Sequence, residues 1–185
     1  LGSNKPNTSI KYVYDDDTNK MIKKEITYIP SFLNIFDEII TNSIDESKRN
    51  SKLDRIDVNI DTKSGRISIK DNGGIPIVIH KDHNQYVPEV IFGNLMSGSN
   101  YDDTEERTVA GTNGLGAKLS NVFSKEFIVS SCDGKNHFLQ VFSSNMRERT
   151  KAKVKPATKS HTEIKYTPDF EKFELKDIDD YHFKM

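Results

Sequence analysis

The sequence contains one cysteine, no tryptophan and no long apolar run. With Cys132 as its one cysteine, the sequence cannot form an intramolecular disulfide framework. The absence of such a framework is typical of proteins from a reducing compartment. No apolar stretch approaches the roughly 20 residues that a membrane span requires, and the N-terminus lacks the charged-then-apolar pattern of a signal peptide. The sequence therefore predicts a soluble protein without a membrane partner.

The sequence also lacks an excess of charge of either sign. Its 27 Lys and Arg residues nearly balance 28 Asp and Glu residues, and the formal net charge is -1. Because this composition creates no overall basic field, any role with DNA must be local or indirect. A length of 185 residues is sufficient for one hydrophobic core, and no repeat or low-complexity tract divides the chain. We expect a single domain over residues 1–185.

The sequence does contain a mixture of helical and extended patterns. Apolar residues recur at three- and four-residue intervals after Pro30, which predicts a long helix with one buried side. Strands and helices do not alternate strictly and most strands join through short turns. We therefore expect an α+β fold, a two-layer α/β sandwich with a mostly antiparallel mixed sheet backed by helices. Strands are expected at residues 11–14, 21–28, 55–61, 66–70, 126–131, 138–142 and 163–166, short helices at 86–95 and 115–123, and a long loop at 96–112.

A stripe of polar residues follows one side of the long helix. Glu38, Asn42, Asp45 and Glu46 are spaced so that they share one helix face. A solvated face is the ordinary explanation of such a stripe. The chemical alternative is a phosphate-hydrolysing site, in which Glu38 orients a water molecule and takes its proton. Asn42, one turn later, presents a neutral amide oxygen of the kind that Mg²⁺ accepts.

A second candidate segment follows the strand that ends at Asp71. Asn72, Gly73 and Gly74 come directly after it, and small residues let the backbone bend and leave room for a flat ring. A carboxylate in that position can accept a hydrogen bond from an adenine amino group. Taken alone, the segment also fits an ordinary turn.

A third segment, residues 111–118, places three glycines and Asn113 directly before a predicted helix. Several backbone N–H groups and the positive end of that helix can then converge on phosphate oxygens, and Lys118 adds charge. The segment does not match the P-loop, because Ala117 stands where the lysine is required. It does not match the dinucleotide-binding fingerprint either, because no parallel strand-turn-helix unit precedes it.

Taken in order, these segments resemble the ATPase domain of type IIA DNA topoisomerases, within the GHKL superfamily that includes gyrase, Hsp90, histidine kinases and MutL. The resemblance includes Phe-Asp-Glu-Ile-Ile-Thr-Asn-Ser at residues 36–43 and covers nearly the whole chain. It implies the Bergerat ATP-binding fold and is stronger to eukaryotic and viral enzymes than to bacterial gyrase. The other matching stretches are residues 1–3, 86–93, 99–103, 113–119 and 167–170.

The resemblance also implies a role for each site residue. Glu38 is the implied general base, Asn42 the magnesium ligand, and Asp71 the adenine-reading carboxylate, which Thr162 supports through water. Ser99 and Asn100 are implied to contact ribose or phosphate. The remaining implied ATP-binding residues are Glu46, Gly74, Ile75, Thr112, Asn113, Gly114, Leu115, Gly116, Ala117 and Lys118.

The chain departs from the family pattern at several positions. The segment from Asp71 to Pro76 is one residue shorter than the usual Asp-x-Gly-x-Gly-Ile-Pro, so either the loop is tightened or a residue is absent. Ala110 replaces a glycine, Thr112 replaces a common arginine, and Glu46 replaces an asparagine. The last change is mild, because bacterial and phage relatives carry glutamate there.

The resemblance implies partners as well as a site. Two ATPase domains form a homodimer on ATP binding, and the closed dimer captures double-stranded DNA for passage through a break made elsewhere in the enzyme. The N-terminal arm and the transducer domain lie outside residues 1–185, so we expect a fragment that binds ATP and Mg²⁺ and hydrolyses ATP weakly alone.

The expected location is intracellular, with DNA: the nucleus of a eukaryote, or the cytoplasm or viral factory for a virus or phage. The alternatives are a nucleotide-gated dimerisation module, or a MutL-like or Hsp90-like ATPase, with little catalysis of its own.

Two other groups of residues have the composition of metal sites. His80 and His83 flank Asp82, but no further Cys or His lies near them in sequence, so a surface loop is the favoured interpretation. The aspartates at residues 15–17 lack the remaining ligand spacing of an EF-hand and are expected to form a solvated turn.

A basic run at residues 147–155 alternates cations with other residues. A strand over this run would place all five cations on one face, where they could meet DNA phosphates. The favoured interpretation is an edge strand that charge protects from aggregation.

Overall fold

A sheet and the helices packed on one of its faces form two layers in the computed structural model, which describes residues 2–94 and 115–185. All strand pairs among the described residues are antiparallel. The predicted α+β sandwich with a mostly antiparallel sheet is confirmed. In chain order the elements are β1 Asn7–Asp15, β2 Lys20–Tyr28, α1 Pro30–Arg49, β3 Ile56–Asp61, β4 Arg66–Asp71, β5 Ile79–His80, β6 Gln85–Tyr86, α2 Val87–Gly93, α3 Gly116–Val122, β7 Ser124–Cys132, β8 Asn136–Ser143, β9 Glu148–Arg149, β10 Lys153–Pro156, β11 His161–Pro168, a 3₁₀ turn Phe170–Phe173 and α4 Asp180–Lys184.

The main sheet has the strand order β10-β8-β7-β11-β4-β3, with β9 paired to β8. Its central strands alternate buried and half-buried residues, because one face lies against the helices and the other does not. Phe127, Phe138 and Tyr166 are among the largest side chains of the buried face, each almost fully enclosed. The core therefore lies between this face and α1.

Helix α1 forms where its sequence predicts. Pro30 occupies the first helical position, where its missing N–H costs nothing. Phe32, Ile35 and Ile39 recur on one side and are buried against the sheet, and basic residues lie in the last turn, where they complement the helix dipole. The opposite side of α1 is thereby directed away from the core, which leaves it free to carry polar groups.

The two strands expected at residues 11–14 and 21–28 are present as β1 and β2, which form a hairpin with a register from Asn7–Tyr28 to Asp15–Lys20. Its apolar side packs on α1 and α4 through a small second cluster that includes Val13 and Ile26. Asp15 stabilises the turn of this hairpin, because its carboxylate accepts the backbone N–H of Thr18 at 3.1 Å.

The basic run does not form one strand, so the prediction that a single strand face would carry all five cations is wrong. β9 ends at Arg149 and β10 begins at Lys153. Thr150 breaks the run because it bonds back to β8: its N–H donates to the carbonyl of Val141 at 2.8 Å, and its hydroxyl accepts the N–H of Val141 at 3.1 Å. Within residues 2–94 and 115–185, no helix is long and apolar enough to cross a membrane.

Candidate functional site

A cleft of about 670 Å³ opens between α1, the C-terminal end of β4, β11 and the start of α3. Its volume lies within the range of roughly 300–1,000 Å³ that is typical of small-molecule sites. The cleft brings together three segments that lie apart in the sequence. The predicted site residues that line it are Glu38, Asn42, Glu46, Asp71, Gly74, Ile75, Leu115, Gly116, Ala117 and Thr162.

The remaining predicted site residues do not line the described cleft. Lys118 is half-buried on α3 and is not among the lining residues, and burial lowers the pKa of its ammonium group. Its contact with phosphate stays a prediction. Five further residues, Ser99, Asn100, Thr112, Asn113 and Gly114, lie outside the described residues.

Helix α1 supplies one wall of the cleft. Glu38, Asn42 and Glu46 follow one another at four-residue steps along it, as the polar stripe predicted. Glu46 forms an ion pair with Arg49 at 3.0 Å, so its carboxylate is already partnered at the cleft's edge. Glu38 has no such partner among the described side chains, which leaves its carboxylate available for a ligand or water.

Asp71 forms the floor of the cleft at the end of β4, where it is 6% exposed. One carboxylate oxygen accepts the hydroxyl of Ser43 at 2.7 Å, and the other accepts the backbone N–H of Gly73 at 2.9 Å. A carboxylate has about four acceptor positions, so both oxygens keep capacity for a further donor. Ile69 and Ile164 line the cleft beside it. This combination suits a flat apolar ring that carries an amino group.

Two glycines are required by close approaches in the site. Gly74 has φ of 96°, a left-handed conformation that other residues rarely adopt, and a Cβ there would collide with the carbonyl oxygen of Cys132. A Cβ on Gly116 would collide with the carboxylate of Glu38. The start of α3 therefore packs directly against the Glu38 carboxylate, and a larger residue at position 116 would require that side chain to move.

The shortened loop after Asp71 is anchored to β7 and the turn that follows it. The N–H of Ile75 donates to the hydroxyl of Ser131 at 2.9 Å, and the N–H of Ile77 donates to the Asp133 carboxylate at 3.1 Å. Burial opposes ionisation of Asp133, but hydrogen bonds from the N–H groups of Asn136, Ile77 and Lys135 outweigh it and keep the pKa of Asp133 below its usual value. The loop is thus held by an ionised carboxylate.

Sequence reasoning missed the residues that hold Asp71 and its loop in place. Ser43 lies eight residues after Ile35 and four after Ile39, on the buried side of α1, where a hydroxyl needs a partner. A serine within this otherwise apolar stripe is the sequence feature from which a buried hydrogen bond could have been predicted. The Ser131 hydroxyl lies 3.3 Å from the Thr162 hydroxyl. No sequence pattern indicates that Ser131 or Asp133 accepts hydrogen bonds from the loop after Asp71.

The metal-binding potential of the site rests on oxygen ligands. Asn42 offers one amide oxygen, so a magnesium ion beside it would take its other ligands from phosphates and water, as Mg²⁺ commonly does. Among the described residues there is no cluster of three or more His, Cys, Asp or Glu side chains able to hold a metal. His80, at the end of β5, and His83, in the turn between β5 and β6, have ring centroids 4.8 Å apart.

The chain is similar in sequence to known proteins. A sequence family described as "Histidine kinase-, DNA gyrase B-, and HSP90-like ATPase" matches residues 29–168. A protein named DNA topoisomerase 2 from Acanthamoeba polyphaga mimivirus is 43% identical over 188 residues, which cover 97% of this chain and 15% of that protein. The protein of the same name from Saccharomyces cerevisiae is 40% identical over 184 residues, covering 97% of this chain and 13% of that protein.

Solved structures give the same result for the fold. The crystal structure of the ATPase region of Saccharomyces cerevisiae topoisomerase II matches with a TM-score of 0.90 and 38% identity, over 99% of this chain and 50% of that one. The 43K ATPase domain of Thermus thermophilus gyrase B matches with a TM-score of 0.59 and 24% identity, over 80% of this chain and 36% of that one, and this more distant match supports the fold alone. The chain thus spans about an eighth of the curated relatives and half of the yeast structure.

Proposed function

The chain belongs to the family of histidine kinase-, DNA gyrase B- and HSP90-like ATPases, and from that premise we propose that it is the ATP-binding and ATP-hydrolysing domain of a type II DNA topoisomerase. The observation that carries the proposal is the single cleft that gathers Glu38, Asn42, Asp71 and the start of α3. The names and structures of the similar proteins favour a topoisomerase over the chaperone and mismatch-repair alternatives.

In this proposal the base of ATP binds at the floor of the cleft. The adenine amino group donates to Asp71, whose orientation is set by Ser43 and Gly73. Ile69 and Ile164 enclose the ring, and Thr162, which pairs with Asp71 across the sheet, supports the same edge through water. The phosphates extend toward the start of α3, where Leu115, Gly116 and Ala117 line the cleft and backbone N–H groups are available as donors.

Hydrolysis in this proposal depends on Glu38. Its carboxylate lies on a rigid helix, against Gly116, so it can orient a water molecule toward the terminal phosphate and take its proton. The amide oxygen of Asn42 would hold Mg²⁺, which supplies charge neutralisation at the phosphates. The protein itself thus holds the water and the nucleotide in a fixed position relative to each other.

Partners and location follow from the same proposal. ATP binding drives two ATPase domains into a homodimer, and the closed dimer captures a DNA duplex for passage through a break made by another region of the enzyme. The domain is proposed to act inside the cell or virus factory, where that DNA lies. Hydrolysis by residues 1–185 alone is proposed to be slow.

The decisive test separates ATP binding from ATP hydrolysis. Glu38→Gln keeps the size and polarity of the side chain but removes the proton acceptor. We expect ATP affinity, measured by calorimetry on this chain, to change little, and turnover in the whole topoisomerase to fall by roughly 10²–10⁴-fold. Asp37→Asn, the same type of change one residue earlier and outside the cleft lining, is the matched control.

The outcomes of this test are distinct. Loss of turnover in Glu38→Gln with retained binding, and normal turnover in Asp37→Asn, support the assigned role. Unchanged turnover in Glu38→Gln would show that another group activates the water. Failure of the unaltered chain to bind ATP would overturn the proposed function itself.

A further inference from the structure

The outer face of the sheet, opposite the helices, has a basic end that the ATP cleft does not use. Phe138 is fully buried, so its neighbours in β8 point outward, and the same alternation places Lys153 and Lys155 of β10 on that face. Lys155 pairs with His137 across β8 and β10. His161 lies two strands further along the same row, on β11.

Two lysines in adjacent connections extend this surface. Lys135 lies between β7 and β8, and Lys159 lies between β10 and β11. The two connections touch, because the N–H of Ala157 donates to the carbonyl of Lys135 at 3.0 Å. We define the outer basic face as Lys135, Lys153, Lys155 and Lys159 together with His137 and His161.

The four lysines of the outer basic face are exposed, and none forms an ion pair with another described residue. The acidic groups nearby are already engaged. The Asp133 carboxylate accepts backbone N–H groups, including those of Lys135 and Asn136. Glu163 accepts the ammonium of Lys165 at 3.1 Å and the hydroxyl of Ser68 at 3.1 Å. Backbone N–H groups are neutral, so Asp133 keeps its negative charge, but the four lysines outnumber it and the surface has a net positive charge although the chain as a whole is nearly neutral.

The two histidines are fixed by a directed chain of hydrogen bonds. Nδ1 of His161 lies 3.0 Å from the carbonyl oxygen of Lys159, which can only accept, so Nδ1 carries the proton. The Ser130 hydroxyl lies 3.1 Å from Nε2 of His161 and 2.9 Å from Nε2 of His137, so it can donate to the first and accept from the second. The imidazoles are therefore held on the sheet surface between the lysines rather than free to turn away.

We propose that the outer basic face binds the phosphate backbone of double-stranded DNA. Strands in a sheet lie about 4.8 Å apart, so the surface from β10 to β11 is about 14 Å wide. A duplex carries one charge per about 1.7 Å of its axis, so several phosphates fall within that width. The inference rests on the proposed function for the choice of DNA as the polyanion, and it assigns the contact to a surface remote from the ATP cleft.

The test measures DNA binding by fluorescence anisotropy with a labelled duplex of about 30 base pairs and no ATP, over a series of salt concentrations. For four neutralised phosphates, the slope of log K against log salt is expected to be about -3 to -4. The quadruple variant Lys135→Gln, Lys153→Gln, Lys155→Gln, Lys159→Gln is expected to lose most of the affinity and to give a slope near zero.

A matched variant keeps the same change in net charge but alters lysines elsewhere. Lys52, Lys63, Lys172 and Lys176 are exposed residues outside the outer basic face, and changing all four to glutamine should leave affinity and slope close to those of the unaltered chain. Equal losses in both quadruple variants, or an unchanged slope in the first, would overturn the proposal. ATP affinity, measured in parallel on both variants, reports separately on the proposed function, so the two proposals can fail independently.

Discussion

Nε2 of His182 accepts the backbone N–H of Ile29 at 2.9 Å, immediately before the helix that carries Glu38 and Asn42. The Nδ1 atom of the same imidazole lies 2.7 Å from the Asp179 carboxylate, so the proton is on Nδ1 and the lone pair on Nε2 faces the helix. The C-terminal helix α4 thereby satisfies one of the N–H groups left without a partner at the start of α1.

His182→Ala is expected to destabilise the protein, because it leaves the buried N–H of Ile29 without an acceptor. The loss of free energy of unfolding should be about 1–3 kcal/mol, or several degrees in the melting temperature for a chain of this size. Thermal unfolding followed by circular dichroism measures it. Phe183→Ala, at the exposed neighbouring position, is the control, and equal losses in both would place the effect in α4 packing rather than in the hydrogen bond.

Gly116→Ala is expected to reduce turnover and to weaken nucleotide binding, because the new methyl group collides with the Glu38 carboxylate and forces the Glu38 side chain or α3 from its position. The double variant Gly116→Ala, Glu38→Ala removes the collision. It should regain ATP binding without regaining turnover, which calorimetry and an ATPase assay would show. If the double variant binds ATP no better than Gly116→Ala, the contact between these two residues does not set the geometry of the site.

Asp71→Asn is expected to weaken ATP binding by roughly 10–100-fold, the equivalent of losing one charge-assisted hydrogen bond of about 1.5–3 kcal/mol. Stability should change little, because the amide oxygen can still accept the N–H of Gly73 and the amide nitrogen can donate to Ser43. Calorimetric titration with ATP, alongside a melting curve, tests both statements. An unchanged affinity for ATP would remove Asp71 from the nucleotide contacts.

Ser43→Ala examines a contact that only the structure revealed. The change leaves one oxygen of the buried Asp71 carboxylate without its donor, at an expected cost of about 1–3 kcal/mol in free energy of unfolding. Ser47→Ala, one turn later, removes a hydroxyl that donates to the carbonyl of Ile44 at the helix surface and should cost much less. Urea denaturation compares them, and similar costs would mean that the Ser43 hydroxyl does not stabilise Asp71.

The contrast between Ser43 and Glu38 shows what a sequence can predict here. Glu38 lies on a helix whose apolar period fixes which side is buried, so its face and its spacing to Asn42 follow from local geometry alone. The partner of Ser43 lies 28 residues away on another element, and nothing local specifies that pairing. The break between β9 and β10 was missed for the same reason, because the bonds of Thr150 to Val141 outweigh the period-two pattern of the basic run.

The pH dependence of stability is expected to include a contribution from His137. Burial lowers the pKa of this histidine, and the charges of His161 and Lys155 lower it further. In the unfolded chain its pKa is close to the ordinary value of about 6.5. As the pH falls below about 6.5, the unfolded chain therefore binds a proton that the folded chain resists, and the folded state loses stability until the pH passes the lowered folded value.

His137→Gln should remove that part of the acid sensitivity. Urea denaturation midpoints at pH 7.5, 6.5 and 5.5 are expected to fall less steeply with acidity in this variant than in the unaltered chain, while His80→Gln, in the β5–β6 hairpin, should keep the original slope. Because glutamine can still donate to the Ser130 hydroxyl, any difference between the variants reports on protonation rather than on loss of the hydrogen bond. Identical slopes in all three proteins would mean that the acid sensitivity arises from groups other than His137.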